Sequence, residues 1–177
     1  LYELLETEGV TFSAAVPTVW QGLLAHMRQN GLKLSTVKRV LIGGSAVPES
    51  LIRAFHDDYG VEVLQGWGMT ETSPIGTLSN MTPETAALPF EEQLKYRTKQ
   101  GTPPLGIELA LKDDAGQSLP HDGATFGHLM VKGPTVARAY FREDASILDA
   151  DGFFDTGDVA TVDELGFMQI TDRSKDV

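Results

Sequence analysis

Residues 37–48 read Val-Lys-Arg-Val-Leu-Ile-Gly-Gly-Ser-Ala-Val-Pro, an apolar run followed by a glycine-rich turn and a proline. The length and the β-branched content of Val37–Ile42 are typical of a short buried strand. Pro48 favours the first turn of a helix, because its ring fixes φ near the helical value. The stretch therefore predicts a strand that leads directly into a helix, which is the repeating unit of an α/β sheet.

The segments on either side repeat this pattern. Before it, Val10–Val16 predicts a buried strand, and a helix from Pro17 to about Gln29 would turn four apolar residues inward, namely Val19, Leu23, Leu24 and Met27. After it, the helix from Pro48 extends to about Tyr59, and Val61–Leu64 predicts a third strand. The chain begins with the predicted end of an amphipathic helix, Tyr2–Glu8, with Leu4 and Leu5 inward. These elements together predict a parallel βαβ layer.

The pattern changes after Pro74. Residues 80–100 are polar, with one predicted helix at Glu91–Lys99. Beyond them, turn residues separate three predicted strands, Ile107–Lys112, His128–Lys132 and Phe167–Thr171. We predict an α/β fold class: a parallel βαβ layer (residues 1–78), a connecting segment (79–100), a small β-rich distorted barrel (101–171) and a hinge segment (172–177).

The composition excludes several classes of function. A net charge of -11 over 177 residues argues against a nucleic-acid surface or docking on anionic lipid. With no cysteine, the chain has neither a disulfide framework nor a thiolate site, and the four histidines show no ligand spacing. No apolar run approaches the roughly 20 residues of a membrane helix.

Two loops combine the residue types that bind nucleotides. Gly43–Pro48 follows a predicted parallel strand, where ligands of open α/β sheets bind. Taken alone, this short motif is explained better by a tight turn capped by Ser45, and the nucleotide-binding alternative stays open. Gln65–Pro74 joins glycines, hydroxyls, an aromatic ring and one carboxylate. Its amides and Thr70 suit a phosphate, and Glu71 suits Mg²⁺, which prefers oxygen ligands beside substrate phosphates.

Four motifs, in this order, resemble the adenylate-forming superfamily of acyl-CoA synthetases, peptide-synthetase adenylation domains and beetle luciferases. Gln65–Pro74 resembles its Tyr-Gly-x-Thr-Glu signature, and Gly127–Pro134 is similar to its Gly-Glu-Leu-x-Val-x-Gly-Pro segment. Phe153–Ala160 resembles Trp/Phe-x-x-Thr-Gly-Asp, and Thr171–Asp176 resembles the hinge segment. The residues of Gln65–Pro74 are most similar to those of bacterial medium- and long-chain fatty acyl-CoA synthetases. Two departures are His128 for the usual Glu and Ala139 for the usual Gly.

The resemblance implies roles for individual positions. The implied nucleotide-binding residues are Gly44, Ser45, Ala46, Gln65, Gly66, Trp67, Gly68, Thr70, Asp158 and Arg173. Of these, the loop ending at Ala46 and the stretch Gln65–Trp67 would flank adenine. Thr70 would contact the adenylate phosphate, and Asp158 and Arg173 the ribose. Thr70 and Glu71 are the implied catalytic positions, Glu71 the Mg²⁺ ligand, and Lys175 the hinge.

The implied activity is that of a cytoplasmic, AMP-forming acid–thiol ligase using ATP, Mg²⁺ and coenzyme A on a fatty acid. The family's phosphate-gripping loop and C-terminal domain would lie outside this internal piece of the N-terminal domain, so we expect it to be inactive alone. Its implied partners are small molecules rather than nucleic acid, and exposed sheet edges favour a homodimer. Two alternatives stay open: a non-catalytic nucleotide-binding module, and a ligase for another acid such as methylthiopropionate. Four apolar residues would line an acyl pocket or belong to the core: Val16, Trp20, Met69 and Ile75.

Overall fold

The computed structural model describes residues 1–173, with the backbone only for Asp172 and Arg173. Contacts divide the chain into two units, residues 1–66 with 79–98, and residues 67–78 with those from 99 onward. The sequence patterns placed 67–78 with the first part instead. The contacts group this segment with the second unit, because Trp67 packs among the apolar side chains of that unit.

The first unit is a parallel sheet with helices. Its strands are paired in the order β1-β2-β3, with Ala14 beside Leu41 and Val40 beside Val63 in register. The elements in chain order are α1 (Tyr2–Thr7), β1 (Phe12–Ala15), α2 (Pro17–Asn30), β2 (Arg39–Gly43), α3 (Glu49–Tyr59) and β3 (Glu62–Trp67), whose last residue belongs to the second unit. Two short helices, α4 (Pro83–Ala86) and α5 (Phe90–Arg97), complete the unit. The predicted βαβ layer is confirmed.

One core fills the first unit, formed by apolar residues of α1, α2, α3, α5 and the strands. Trp20 and Phe55 are fully buried at its centre, with ring centroids 5.9 Å apart and an interplanar angle of 89°. This edge-to-face packing explains why Trp20, rather than Val19, lies on the inner face of α2. Val19 is 42% exposed and Leu4 is 63% exposed, so both predictions that placed these residues inward were wrong.

β1 is the outer strand of this sheet. Its residues alternate between exposed and half-buried, and Phe12 is 50% exposed. The prediction of a buried strand was therefore wrong at this position. The apolar run resembled a central strand, but only one of its edges is paired among the described residues.

The second unit is a curled antiparallel sheet in the order β5-β6-β7-β8. The strands are β5 (Glu108–Lys112), β6 (Gly127–Lys132), β7 (Phe154–Val162) and β8 (Met168–Arg173), preceded by the two-residue β4 (Thr77–Leu78). Leu111, Leu129 and Met168 are fully buried on the face that also holds Trp67. The predicted β-rich half of the fold is confirmed. Within the described residues, no helix is long and apolar enough to cross a membrane.

Candidate functional site

In the first unit, the turn after β2 is held by the side chain of Gln65. Gln65 is 1% exposed; its Oε1 accepts from the Val47 amide at 2.6 Å, and its Nε2 donates to the Thr98 carbonyl at 2.9 Å. Its own backbone amide donates to Ser79 Oγ at 2.7 Å. The amide group of Gln65 is thus occupied by the protein. Its role beside adenine stays a prediction, and its visible role is to fix the turn.

The groups that this turn presents outward are those of Gly44, Ser45 and Ala46, all exposed. Gly44 has φ +86°, which favours glycine. Strands β2 and β3 approach closely at their ends, where a Cβ on Gly43 would lie 3.2 Å from the Gly66 carbonyl oxygen. Gly66 itself is half-buried. An exposed backbone beside a glycine-lined strand end is suited to the close approach of a flat ring.

In the second unit, the loop that begins at Trp67 is packed around that side chain. Trp67 is 8% exposed and belongs to the core of the second unit. A Cβ on Gly76 would overlap the indole ring, and one on Gly68 would overlap the Pro74 carbonyl oxygen. These glycines therefore allow a tight loop. The predicted contacts of Trp67 and Gly68 with nucleotide stay predictions.

Asp158 lies at a kink of β7 and meets the same tryptophan. The Trp67 indole N–H donates to Asp158 Oδ2 at 2.9 Å, and Asp158 is 9% exposed. Gly157 has φ +72°, and its amide donates to Asp155 Oδ1 at 2.9 Å. Thr156 Oγ1 accepts from the Asp158 amide at 3.1 Å and donates to the Leu129 carbonyl at 2.8 Å. The Thr-Gly-Asp sequence thus makes the kink that places a carboxylate beside Trp67.

Thr70 and Glu71 lie in a 3₁₀ turn, Thr70–Thr72. Thr72 is fully buried, and its hydroxyl bonds to the Met69 amide and carbonyl at 3.0 Å and to the Pro74 carbonyl at 2.7 Å. The turn leaves Thr70 exposed and Glu71 half-buried. Thr70 is therefore accessible to a ligand, and its contact with phosphate stays a prediction.

Among the described residues, the hydrogen-bond partner of the Glu71 carboxylate is Tyr140, which sequence reasoning did not single out. The Tyr140 hydroxyl donates to Glu71 Oε1 at 2.9 Å, and this bond to the carboxylate raises the pKa of Tyr140. No described residue donates a hydrogen bond to the other oxygen, Oε2. Tyr140 lies six residues after the Gly127–Pro134 motif, and no local sequence pattern links it to Glu71.

Glu71 suits the Mg²⁺ that the resemblance implies. A carboxylate oxygen is a hard ligand, and Mg²⁺ in nucleotide sites takes one or two protein carboxylates together with phosphates and water. Among residues 1–173 no group of three or more histidine or acidic side chains is arranged to hold a metal alone. The single Glu71 carboxylate fits an ion that binds together with the phosphates of a nucleotide.

Of the two predicted residues nearest the end of the chain, the structure describes only the backbone of Arg173. The Arg173 backbone pairs with Asp158 in the β7–β8 register. This register confirms only that the two motifs are neighbours in the sheet, and the role of the Arg173 side chain stays a prediction. Lys175 lies outside the described residues.

The four apolar residues suggested for an acyl pocket have different environments. Trp20 is fully buried against Phe55 and is a core residue. Val16 is 48% exposed, and Ile75 is half-buried. Met69 packs against a small cluster of the second unit with Ile107 and Phe154. Trp20 is thereby removed from the acyl-pocket candidates.

A separate cavity of about 470 Å³ lies on the β5–β6 side of the second unit. Lys112 in its wall pairs with Asp149 at 2.7 Å, and His128 Nε2 lies 2.9 Å from Asp114 Oδ1. The residue that departs from the family's glutamate, His128, thus lines this cavity. Of the predicted nucleotide-binding residues, none lines it.

Comparisons with known proteins agree with the motifs. Residues 1–141 match the family model described as AMP-binding enzyme. Across its whole length the chain is 50% identical to a 3-methylmercaptopropionyl-CoA ligase of Ruegeria lacuscaerulensis and 49% identical to a medium-chain-fatty-acid–CoA ligase of Ectopseudomonas oleovorans. It covers 33% and 32% of these proteins, so it spans about a third of their length.

A solved structure shows the same fold. The O-succinylbenzoate coenzyme A synthetase of Bacillus subtilis, in complex with ATP and magnesium ion, aligns with 99% of this chain and 34% of its own at a TM-score of 0.80 and 27% identity. The family match covers most of the chain, and the fold and the motif order agree with it. The chain belongs to the family of AMP-binding enzymes.

Proposed function

We propose that the complete gene product carrying this chain is an AMP-forming acid–CoA ligase. The observation that carries the proposal is the hydrogen bond between Trp67 and Asp158, because it joins the two most specific family motifs across 91 positions of sequence. Relatives named as CoA ligases at 49–50% identity over the whole chain support the same class of reaction.

The proposed reaction has two displacements. The substrate carboxylate attacks the α-phosphorus of ATP, and a P–O bond breaks to release pyrophosphate. The coenzyme A thiolate then attacks the acyl carbonyl, and AMP leaves with the electrons of the broken C–O bond. A carboxylate is a poor acyl donor, and the adenylate supplies its leaving group. Mg²⁺ would offset charge on the phosphates.

The residues of the chain would bind and orient the nucleotide. Gly44, Ser45 and Ala46 would present their backbone to adenine. Asp158 would accept hydrogen bonds from ribose hydroxyls, a role that suits a carboxylate already held by an indole N–H. Thr70 would contact the phosphate.

Glu71 would hold the cation through Oε2, since Tyr140 occupies Oε1. Arg173 and Lys175 would add a ribose contact and a hinge. None of these residues forms a covalent bond to the acyl group, so the chain's own contribution is positioning. We therefore expect the chain alone to form no acyl-AMP.

We propose a medium-chain fatty acid as the substrate. A 3-alkylthiopropionate is the second candidate, because a relative named for 3-methylmercaptopropionate is as similar as the one named for medium-chain acids. The test is thioester formation by the complete gene product with 3-methylthiopropionate, butyrate, octanoate and palmitate. A kcat/KM highest for octanoate supports the first candidate, and one highest for 3-methylthiopropionate supports the second. Absence of thioester with every acid contradicts the ligase proposal.

A further inference from the structure

Two contacts tie Glu71 to a segment that lies far away in the sequence. The Tyr140 hydroxyl donates to Glu71 Oε1 at 2.9 Å, across 69 positions. The Ala137 amide donates to the Glu71 carbonyl oxygen at 2.8 Å. The same short segment therefore holds both the backbone and the carboxylate of one residue.

The Tyr140 side of this contact is held by a tight turn. The Glu143 amide donates to the Tyr140 carbonyl at 3.1 Å, and Arg142 has φ +64°. The Ile147 amide donates to the Arg138 carbonyl at 2.9 Å, which closes the segment on its other side. Tyr140 is 48% exposed, so its ring contributes little to the core. Its hydroxyl bond is the specific interaction that it makes with the loop of Glu71.

The Glu71 side is equally fixed. Thr72, the next residue, is fully buried and bonds to Met69 and Pro74. A half-buried glutamate on such a turn would otherwise sample several rotamers, and ordering them costs free energy when a ligand binds. A hydroxyl bound to one carboxylate oxygen restricts this freedom before the ligand arrives.

We propose that Tyr140 is a positioning residue that holds the Glu71 carboxylate with Oε1 occupied and Oε2 available to the cation of a metal–nucleotide complex. The inference rests on the proposed function, since it concerns the same Mg²⁺ ligand. Tyr140 acts through Glu71 and does not itself touch substrate.

The test uses the complete gene product with Tyr140→Phe, Glu71→Gln and the double variant. Tyr2→Phe is the matched control, because it also removes a hydroxyl that donates at 2.9 Å, to the Lys33 carbonyl in the first unit. The first measurement is the concentration of free Mg²⁺ that gives half the maximal rate of adenylate formation. The second, made without metal or nucleotide, is the free energy of unfolding in urea of the wild type, the two single variants and the double variant.

We expect Tyr140→Phe to raise the half-saturating Mg²⁺ concentration about 3- to 10-fold, the effect of one lost charge-assisted hydrogen bond. The maximal rate at saturating Mg²⁺ should stay within about twofold of the wild type. In the Glu71→Gln background the same change should have little effect. Without metal, Tyr140→Phe should lower the free energy of unfolding in the wild-type background and have a smaller effect in the Glu71→Gln background, whereas Tyr2→Phe should leave the Mg²⁺ dependence unchanged.

Three results would overturn the inference. The Mg²⁺ dependence of Tyr140→Phe equals that of the wild type, its effect on the Mg²⁺ dependence is equally large without Glu71, or the effects of the two substitutions on the free energy of unfolding are additive. An inactive wild-type protein overturns the ligase proposal and this inference together. A wild type that is active while the effects on unfolding are additive overturns the inference alone.

Discussion

The indole nitrogen of Trp67 lies 2.9 Å from Oδ2 of Asp158, and both residues are at least nine-tenths buried. An aspartate in a core is costly unless its carboxylate is hydrogen-bonded. The indole N–H meets that need and fixes the direction of the side chain. Trp67 and Asp158, which come from two different sequence motifs, thus function as one structural feature of the second unit.

We predict that Trp67→Phe weakens ATP binding by the complete gene product about 3- to 10-fold, because Asp158 loses a donor and its orientation. The same substitution should lower the free energy of unfolding of this chain by about 1–3 kcal/mol. The measurements are calorimetric ATP titration and urea unfolding.

A double-mutant cycle with Asp158→Asn separates the hydrogen bond from the lost ring area. Trp20→Phe is the matched control for stability, since that indole is also buried but its N–H lies at a longer 3.4 Å from the Leu41 carbonyl. Additive effects of Trp67→Phe and Asp158→Asn on ATP affinity would show that the bond has no part in binding.

Gln65→Leu should destabilise the chain by about 2–4 kcal/mol, because the Val47 amide and the Thr98 carbonyl both lose their buried partner. Urea unfolding measures the loss. Gln117→Leu is the control, since Gln117 is exposed and should change stability by no more than about 0.5 kcal/mol. Equal stabilities of the two variants would refute the assignment of Gln65 as the residue that fixes the turn.

Gly76→Ala should lower the free energy of unfolding by about 2 kcal/mol or more, because its Cβ would overlap the Trp67 ring. Gly22→Ala provides the contrast within α2, where no atom lies within 4 Å of the added Cβ. That variant should gain up to about 1 kcal/mol from its better helix propensity. Thermal unfolding of both variants measures whether Gly76→Ala is less stable, and Gly22→Ala more stable, than the wild type. A Gly76→Ala protein as stable as the wild type would contradict the packing described for Trp67.

Low pH should remove the contribution of the Asp122 carboxylate to the free energy of unfolding. The amides of Thr125 and Ala124 and the Thr125 hydroxyl donate to its carboxylate and lower its pKa from 3.8 to about 2. A pKa lowered by folding stabilises the native state above the unfolded value, and this stabilisation is lost as the pH falls through the folded value.

The stability difference between wild type and Asp122→Ala should therefore be constant above about pH 4 and shrink toward pH 2. Urea unfolding at a series of pH values measures it. Ser118→Ala, at an exposed residue without an ionisable side chain, is the control. A difference that stays constant down to pH 2 would contradict the role of the carboxylate.

The periodicity of apolar residues was sufficient to predict the βαβ layer of the first unit, because buried strands and glycine-capped helices have local sequence signals. Gly31 and Gly60 end α2 and α3 with φ +62° and +64°, as such signals predict. The same local information misplaced Leu4 and Val19, since their exposure depends on which neighbours are present. It also missed β7, whose kinked Thr-Gly-Asp sequence interrupts the period of a strand.

The sequence motifs propose the residue types of the candidate site but not the contacts that these residues make. The motif marked Asp158 and Glu71 from the sequence alone. Their partners Trp67 and Tyr140 depend on pairings 91 and 69 positions apart, which no local pattern contains. Gln65 is the opposite case, because a polar residue in a ligand motif proved to serve the protein's own turn.

The most direct test of the central claim is to identify the nucleotide that the complete gene product releases. The assay supplies ATP, Mg²⁺, coenzyme A and either octanoate or 3-methylthiopropionate. The account predicts one AMP and one pyrophosphate for each thioester formed, with the yield of AMP lost in Asp158→Ala. Release of ADP and phosphate, or thioester formation that does not require Asp158, would contradict it.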